Sequence, residues 1–391
     1  MTSPRCLAFA TALLLCLPTT SDAAADPRPP AIDNLRAADV SYQAEKEIPN
    51  LPTAFLDTSP IDLNDGIAVG ELGTDGGLAK PLIAFAEEIA RGEHGEVDSL
   101  LICQDGKLLF ESYFRRGRVN YPHYQMSITK SYTALAIGRA IQLGHLTMTD
   151  LDRPIVSFFD NIDAASLADG ASGITLAEVM SMQSGIRLPS EQANFFRTNA
   201  KALHGSLQVT ALLQATNAIG TAPRPFKYQG TDPALAMQVL NTVVPDSAEH
   251  FIKTELLDRL GITSYAWPDD VSGLPKSAAG SSMRSRDMLK WGLLVANNGT
   301  YKGSQFIPAD FIEKATSPRC QTANETSYGF FFWRHTATVN DNPVDCISCR
   351  GAGGQFIFLF PNRHLIAVVT AHNKGMGPLL KILPERLLQA F

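Results

Sequence analysis

The chain has no internal repeat, no low-complexity tract and no long run of one charge. Of its 391 residues, 18% are charged, and the net charge is -6. These absences exclude a solenoid, a charged disordered tail and the basic surface of a nucleic-acid-binding protein. Three catalytic signatures are also missing. Without Gly-x-Ser-x-Gly there is no α/β-hydrolase elbow. Without His-Glu-x-x-His or Gly-x-x-x-x-Gly-Lys there is neither a zinc-protease helix nor a phosphate loop. Cysteine is scarce, with six residues, two of them (Cys6 and Cys16) in an apolar N-terminal stretch.

What remains is 45% hydrophobic, enough for a sizeable core in one large domain or two smaller ones. Arg5 precedes the apolar stretch, and small residues follow at Ala23, Ala24 and Ala25. This pattern is that of an export signal covering residues 1–25. A lipid anchor on Cys16 is the alternative, disfavoured because leucine stands where lipoprotein signals place a small residue. The apolar stretch is short for a bilayer span and no later segment is long enough, so a secreted or periplasmic protein is expected. Removal of the signal leaves Cys103, Cys320, Cys346 and Cys349. Cys320 with Cys346 or Cys349 is the expected disulfide, since these bracket an expected β-hairpin. A four-cysteine zinc site is disfavoured by their scatter.

Residues 26–76 are rich in proline, aspartate and asparagine and lack periodicity, reading as an extended arm on the domain surface. Residues 78–91 carry helical periodicity. Two strand-like runs, 99–103 and 107–114, flank Gln104-Asp105-Gly106, a hairpin signal. Residues 127–143 are apolar nearly all round, which predicts a buried helix. The stretch 145–285 reads as mainly helical. Thr175 and Glu178 form a capping box there, helices cover 207–216, 233–243 and 248–260, and 188–207 reads as irregular. Helices over 285–297 and 308–315, strands over 327–334, 355–360 and 364–371, and a helix from 378 follow. The order predicts an α+β fold within residues 77–391: one antiparallel sheet built from both chain ends, flanked by helices, plus a mainly helical lobe. A cleft between sheet and lobe is the expected site.

At the start of the buried helix stand Ser127 and Lys130. Side chains at i and i+3 share a helix face, and a desolvated lysine can serve as the base that makes serine a nucleophile. Alone, Ser-x-x-Lys is weak, with about one chance match expected in a chain of this length. His123 is another conceivable base, but a histidine ahead of a helix is more often structural.

The surrounding residues make the pattern more specific. "HYQMSITKSYTALAIGRAIQLGHL" from His123, "ITLAEVMSMQSGI" from Ile174, "GSSMRSRDMLKWGLLVANNGTYKGSQFIP" from Gly280 and "GAGGQFIFLFPNRHLIAVVT" from Gly351 together resemble the penicillin-recognising serine hydrolases. The likeness is to the branch of class C β-lactamase-like esterases and 6-aminohexanoate-dimer hydrolases. It implies a β-lactamase/transpeptidase-like fold and an acyl-enzyme on Ser127. Lys130 and Tyr228, in "FKYQGTDPALAMQVL", would be the acid/base pair, a neighbouring cation stabilising phenolate. The backbone N–H groups of Ser127 and Ala352 would form the oxyanion hole, and Gly351, Gly353 and Gln355 would border substrate. For the glycines, relief of crowding within a strand is an equal alternative. Phe195, Phe196 and Trp333 could line an acyl pocket, although aromatics are more often core.

Two departures shift the expected substrate. Gly230 stands where β-lactamases carry an asparagine, and Cys349 where the strand motif carries a cation. Arg350 is adjacent, but neighbouring strand residues face opposite ways. Small esters or amides are therefore expected, with no cofactor, no metal and no nucleic acid. A β-lactamase, a D-alanyl-D-alanine peptidase or a penicillin-binding sensor without turnover is the alternative.

Overall fold

The computed structural model describes Met1 and residues 28–323, 326–339 and 342–391. The expected signal segment, with Cys6 and Cys16, lies outside the described residues. In chain order the first elements are α1 (Tyr42–Lys46), β1 (Phe55–Asp57), β2 (Ala68–Val69), α2 (Ala79–Ala90), β3 (Val97–Gln104), β4 (Lys107–Tyr113), β5 (His123–Tyr124) and α3 (Ile128–Gln142). A helical stretch follows: α4 (Leu176–Met180), α5 (Ser190–Thr198), α6 (Leu207–Ala215), α7 (Thr231–Val243) and α8 (Ala248–Phe251). Next come β6 (Tyr265–Ala266), β7 (Ser282–Met283), α9 (Ser285–Ala296), the hairpin β8 (Thr300–Tyr301) and β9 (Ser304–Gln305), and α10 (Ala309–Thr316). The chain closes with β10 (Cys320–Gln321), β11 (Ser327–Tyr328), β12 (Trp333–Val339), β13 (Asn342–Gly351), β14 (Gln355–Phe360), β15 (Leu365–Ala371) and α11 (Leu379–Leu388).

The main sheet runs β1-β4-β3-β15-β14-β13-β12-β11-β10, with β2 pairing β4 in parallel. The two chain ends meet where β15 pairs antiparallel with β3. Side chains alternate across the sheet. Leu101, Cys103, Ile357, Leu359, Ile366 and Val368 join the core beneath α3, α7 and α9. Their neighbours Leu100, Ile102, Phe356, Phe358, Ala367 and Val369 join a second core with α2 and α11. Burial on both faces explains why these strands read as continuous apolar runs. Helix α3 is buried over 13 consecutive residues, Ile128 to Ala140, which fixes its first turn firmly.

Four local expectations change. Residues 188–207 contain α5, hidden from the sequence because Phe196 is its only buried residue. The aromatic run 327–334 is not one strand. Phe331 turns into the left-handed region (φ 61°) and donates its N–H to Met180 O at 3.0 Å. The arm does more than lie on the surface. It adds β1 and β2 to the sheet and buries Glu45 to 1% exposure. The disulfide does not form, and Cys103, Cys320, Cys346 and Cys349 are all free. Cys320 on β10 is three strands from β13, roughly 14 Å at ordinary strand spacing, beyond disulfide reach. Cys346 and Cys349 face the two opposite cores.

Candidate active site

Ser127 occupies the corner between β5 and α3. Met126 before it is left-handed, with φ 49°, a conformation that costs a non-glycine residue about 1 kcal/mol or more. The surroundings impose it. Gln125 N donates to Ser281 O (2.8 Å), and the Gln125 amide donates to His123 O (2.8 Å). One residue after Ile128, Thr129 Oγ1 donates to Met126 O (2.7 Å) and accepts the N–H groups of Gly280 (3.1 Å) and Ser281 (3.2 Å). The nucleophile corner is thus tied to the segment entering β7.

Lys130 Nζ lies 3.0 Å from Ser127 Oγ and donates to Ala278 O at 2.6 Å. It also sits 4.6 Å from the centre of the Tyr228 ring. Among the described residues no carboxylate pairs with it, and at 4% exposure burial alone lowers the amine to about 8. At neutral pH this raises the neutral fraction about 300-fold over an unperturbed lysine. A neutral amine can keep its N–H on Ala278 O while its lone pair accepts the Ser127 proton. The rate of Ser127-dependent hydrolysis is therefore expected to rise with pH along a limb centred near 8. Initial rates across pH 6 to 10, at saturating and limiting substrate, read this directly.

Tyr228 is on the loop before α7. It is 39% exposed as a whole, but its hydroxyl end is desolvated and hydrogen-bonded with Ser127. Burial raises its pKa and outweighs the Ser127 bond. Burial thus works against the expected phenolate, and Lys130 Nζ, 4.6 Å from the ring centre, is the cation expected to favour it. Trp333 (5.5 Å) and Tyr328 (6.2 Å) pack against its ring, and Phe226 closes on both. Trp333 thus reaches the site. Phe195 is 48% exposed on α5 beside Phe196 and takes no part in this cluster.

The end of β13 presses on the nucleophile corner. A Cβ at Gly351 would lie 2.4 Å from Gln125 O and 3.1 Å from Met126 Cβ, so only glycine lets the strand come this close. At this position the glycine relieves crowding, and the crowding is against the residues just before Ser127. Ala352 follows, exposed, in the turn to β14. Among the described residues, neither the Ser127 nor the Ala352 N–H donates to a protein acceptor. Gly353 and Gly354 have φ of 88° and 95° and shape that turn. Gln355 lines the cavity beside this turn, its amide bonding both backbone groups of Ala371.

Sequence reasoning missed two supports. Asp232, fully buried, accepts from Ser184 Oγ (2.8 Å) and Gln229 Nε2 (2.6 Å), fixing the Tyr228 loop to the segment after α4. Burial raises its carboxyl to about 6. Glu45 accepts from Tyr124 N (3.0 Å) and bonds His123 Nδ1 (2.6 Å). His123 is accordingly held in the wall behind the corner, not aimed at Ser127. Ser184 and Asp232 stand in "MQSGI" and "GTDPA", beside the end of α4 and in the first turn of α7, but their burial and pairing are seen only in the fold. Glu45 had no signal, since the arm has no periodicity. A cavity of about 580 Å³ opens beside Met126, Ala352 and Gly353. Cavities of about 600 and 660 Å³ lie elsewhere, and Ser127, Lys130 and Tyr228 line none of the three.

The β-lactamase family model matches residues 86–390, and the chain belongs to that family. Its fold is shared with a Bacillus anthracis protein described as a 6-aminohexanoate-dimer hydrolase, with 16% identity, TM-score 0.64 and coverage of 92% of this chain and 94% of that one. It is shared also with an octameric penicillin-binding protein homologue from Pyrococcus abyssi (18%, TM-score 0.61, 79% and 77%). A D-stereospecific amidohydrolase from Streptomyces is similar too (15%, TM-score 0.56, 79% and 98%). At these identities the likeness is one of fold. No curated protein matches the chain at the sequence level.

Proposed function

We propose that this member of the β-lactamase family, a serine hydrolase, is exported and cleaves small esters or amides through an acyl-enzyme on Ser127. The observation that carries the proposal is the 3.0 Å contact between Ser127 Oγ and a buried amine brought to about 8 with no carboxylate beside it. Neutral Lys130 takes the hydroxyl proton as Oγ bonds to the carbonyl carbon. The negative charge on the former carbonyl oxygen is met by the N–H groups of Ser127 and Ala352, each such donor typically supporting about 3 kcal/mol of transition-state stabilisation. The bond to the leaving alcohol or amine then breaks, and that group leaves with the proton relayed through Tyr228. Water, deprotonated by the same pair, attacks the ester carbon, releases the acid and returns the proton to Ser127.

The strand beside the site favours esters and amides over β-lactams. Cys349 is 4% exposed and meets Ser131, so no cation projects there. Arg350 is held by Ser348 Oγ (2.8 Å) and His335 Nδ1 (2.8 Å) over the Trp333 ring. A panel of short esters, linear amides and a cephalosporin tests the reading. Ser127-dependent release of acid from an ester or amide, with kcat/KM above that for the cephalosporin, is expected. Preference for the cephalosporin, or a permanent penicillin adduct without any turnover of the panel, would overturn it.

A further inference from the structure

The cavity beside Ala352 has a wall that no part of the catalytic machinery supplies. It is lined by Tyr42 and Lys46 of α1, from the N-terminal arm, and by Lys374, from the segment after β15. The arm is anchored there through Glu45. That carboxylate takes Tyr124 N and His123 on the strand leading into Ser127, and lies 3.6 Å from His372 Nε2. His372 in turn bonds Asp98 at 2.5 Å. Tyr42 packs on Tyr124 (5.1 Å) and His372 (6.3 Å). One buried carboxylate therefore joins the arm to both flanks of the oxyanion hole, and α1 is held in place with respect to the reacting carbonyl.

The charge of this wall is one-sided. Among the described residues its one carboxylate is Glu96, engaged by Arg116 (2.9 Å) and Arg115 (3.4 Å). Lys46 Nζ rests over the Tyr42 ring at 3.9 Å. Among the described residues neither Lys46 nor Lys374 has a carboxylate within ion-pair distance, and both are exposed. Two unpaired ammonium groups beside the oxyanion hole attract an anionic group on the ligand. We infer that the N-terminal arm is part of the binding site, and that Lys46 and Lys374 take a carboxylate carried by the ester or amide substrate. This rests on Ser127 being the nucleophile.

The test uses the full chain and two matched ester pairs, in which a carboxylate or its carboxamide isostere ends either the acyl chain or the leaving group. In the wild type one pair is expected to show a kcat/KM ratio, acid over carboxamide, of about fivefold or more. Lys46→Gln reduces that ratio, Lys46→Gln with Lys374→Gln brings it close to one, and high salt weakens it. Thermal melts of both variants verify folding. Ratios near one in both pairs, or a ratio unmoved in the double variant, would overturn the subsite while Ser127-dependent turnover left the hydrolase reading standing. Absence of Ser127-dependent turnover in every member would overturn both.

Discussion

Replacing Ser127 by alanine is expected to lower kcat/KM for ester hydrolysis by about 10⁴-fold or more, with little change in melting temperature. The rate loss follows from removing the atom that forms the acyl bond, where the oxyanion hole and substrate binding alone leave only residual acceleration. The small change in stability follows from position. Ser127 stands at the N-cap of α3, but its side chain makes no capping hydrogen bond, so the usual cost of losing a cap does not apply. Lys130 keeps its bond to Ala278 O. Initial rates and a thermal melt on the same preparation check both halves. A variant that retained wild-type turnover would place the chemistry elsewhere.

Lys130→Met should divide activity and stability in opposite directions. Methionine is unbranched and fills the same space, but it cannot accept a proton. A loss of about 10³-fold or more in kcat is expected, since both acylation and deacylation need the base. Stability should rise at pH 7. The folded state holds this amine at about 8, against 10.5 for an unperturbed lysine. The unfolded chain therefore binds the extra proton, and the fold bears a penalty wherever the amine is charged. That penalty is fully present below about 8, shrinks as pH rises toward 10.5, and is absent above it. The gain from Lys130→Met is at most about 3 kcal/mol at neutral pH, reduced by the lost bonds to Ser127 and Ala278, and it should fade by high alkaline pH. Urea melts at pH 7 and at pH 10 measure it. A variant less stable than wild type at pH 7 would contradict the desolvation account and with it the neutral base.

How much of this was legible in the sequence varied with the range of the interaction. Ser127 and Lys130 are three residues apart on one helix, so their contact is a local consequence of helix geometry, and the apolar character of residues 128–140 gave the burial that depresses the amine. Tyr228 was found by resemblance, and its 4.6 Å approach to Lys130 depends on packing between α3 and α7 that no spacing encodes. A single antiparallel sheet built from both chain ends was readable because 100–103, 108–110, 356–360 and 365–369 are apolar runs, whereas the order of its strands depends on pairing between distant segments. The state of the cysteines is not legible because Cys320, Cys346 and Cys349 are close in sequence, while two intervening strands separate β10 from β13. Residues 26–76 lack periodicity, so the insertion of Glu45 beneath the nucleophile strand had no signal ahead of the fold.

The central claim is a covalent bond at Ser127. Mixing the protein with a slowly deacylating ester, quenching with acid and weighing the intact chain tests it most directly. A mass gain equal to one acyl group, mapped to the peptide carrying Ser127 and missing from Ser127→Ala, is the result expected. Turnover with no adduct that persists in Ser127→Ala, or an acyl group found on one of the free thiols Cys103, Cys320, Cys346 or Cys349, would contradict it.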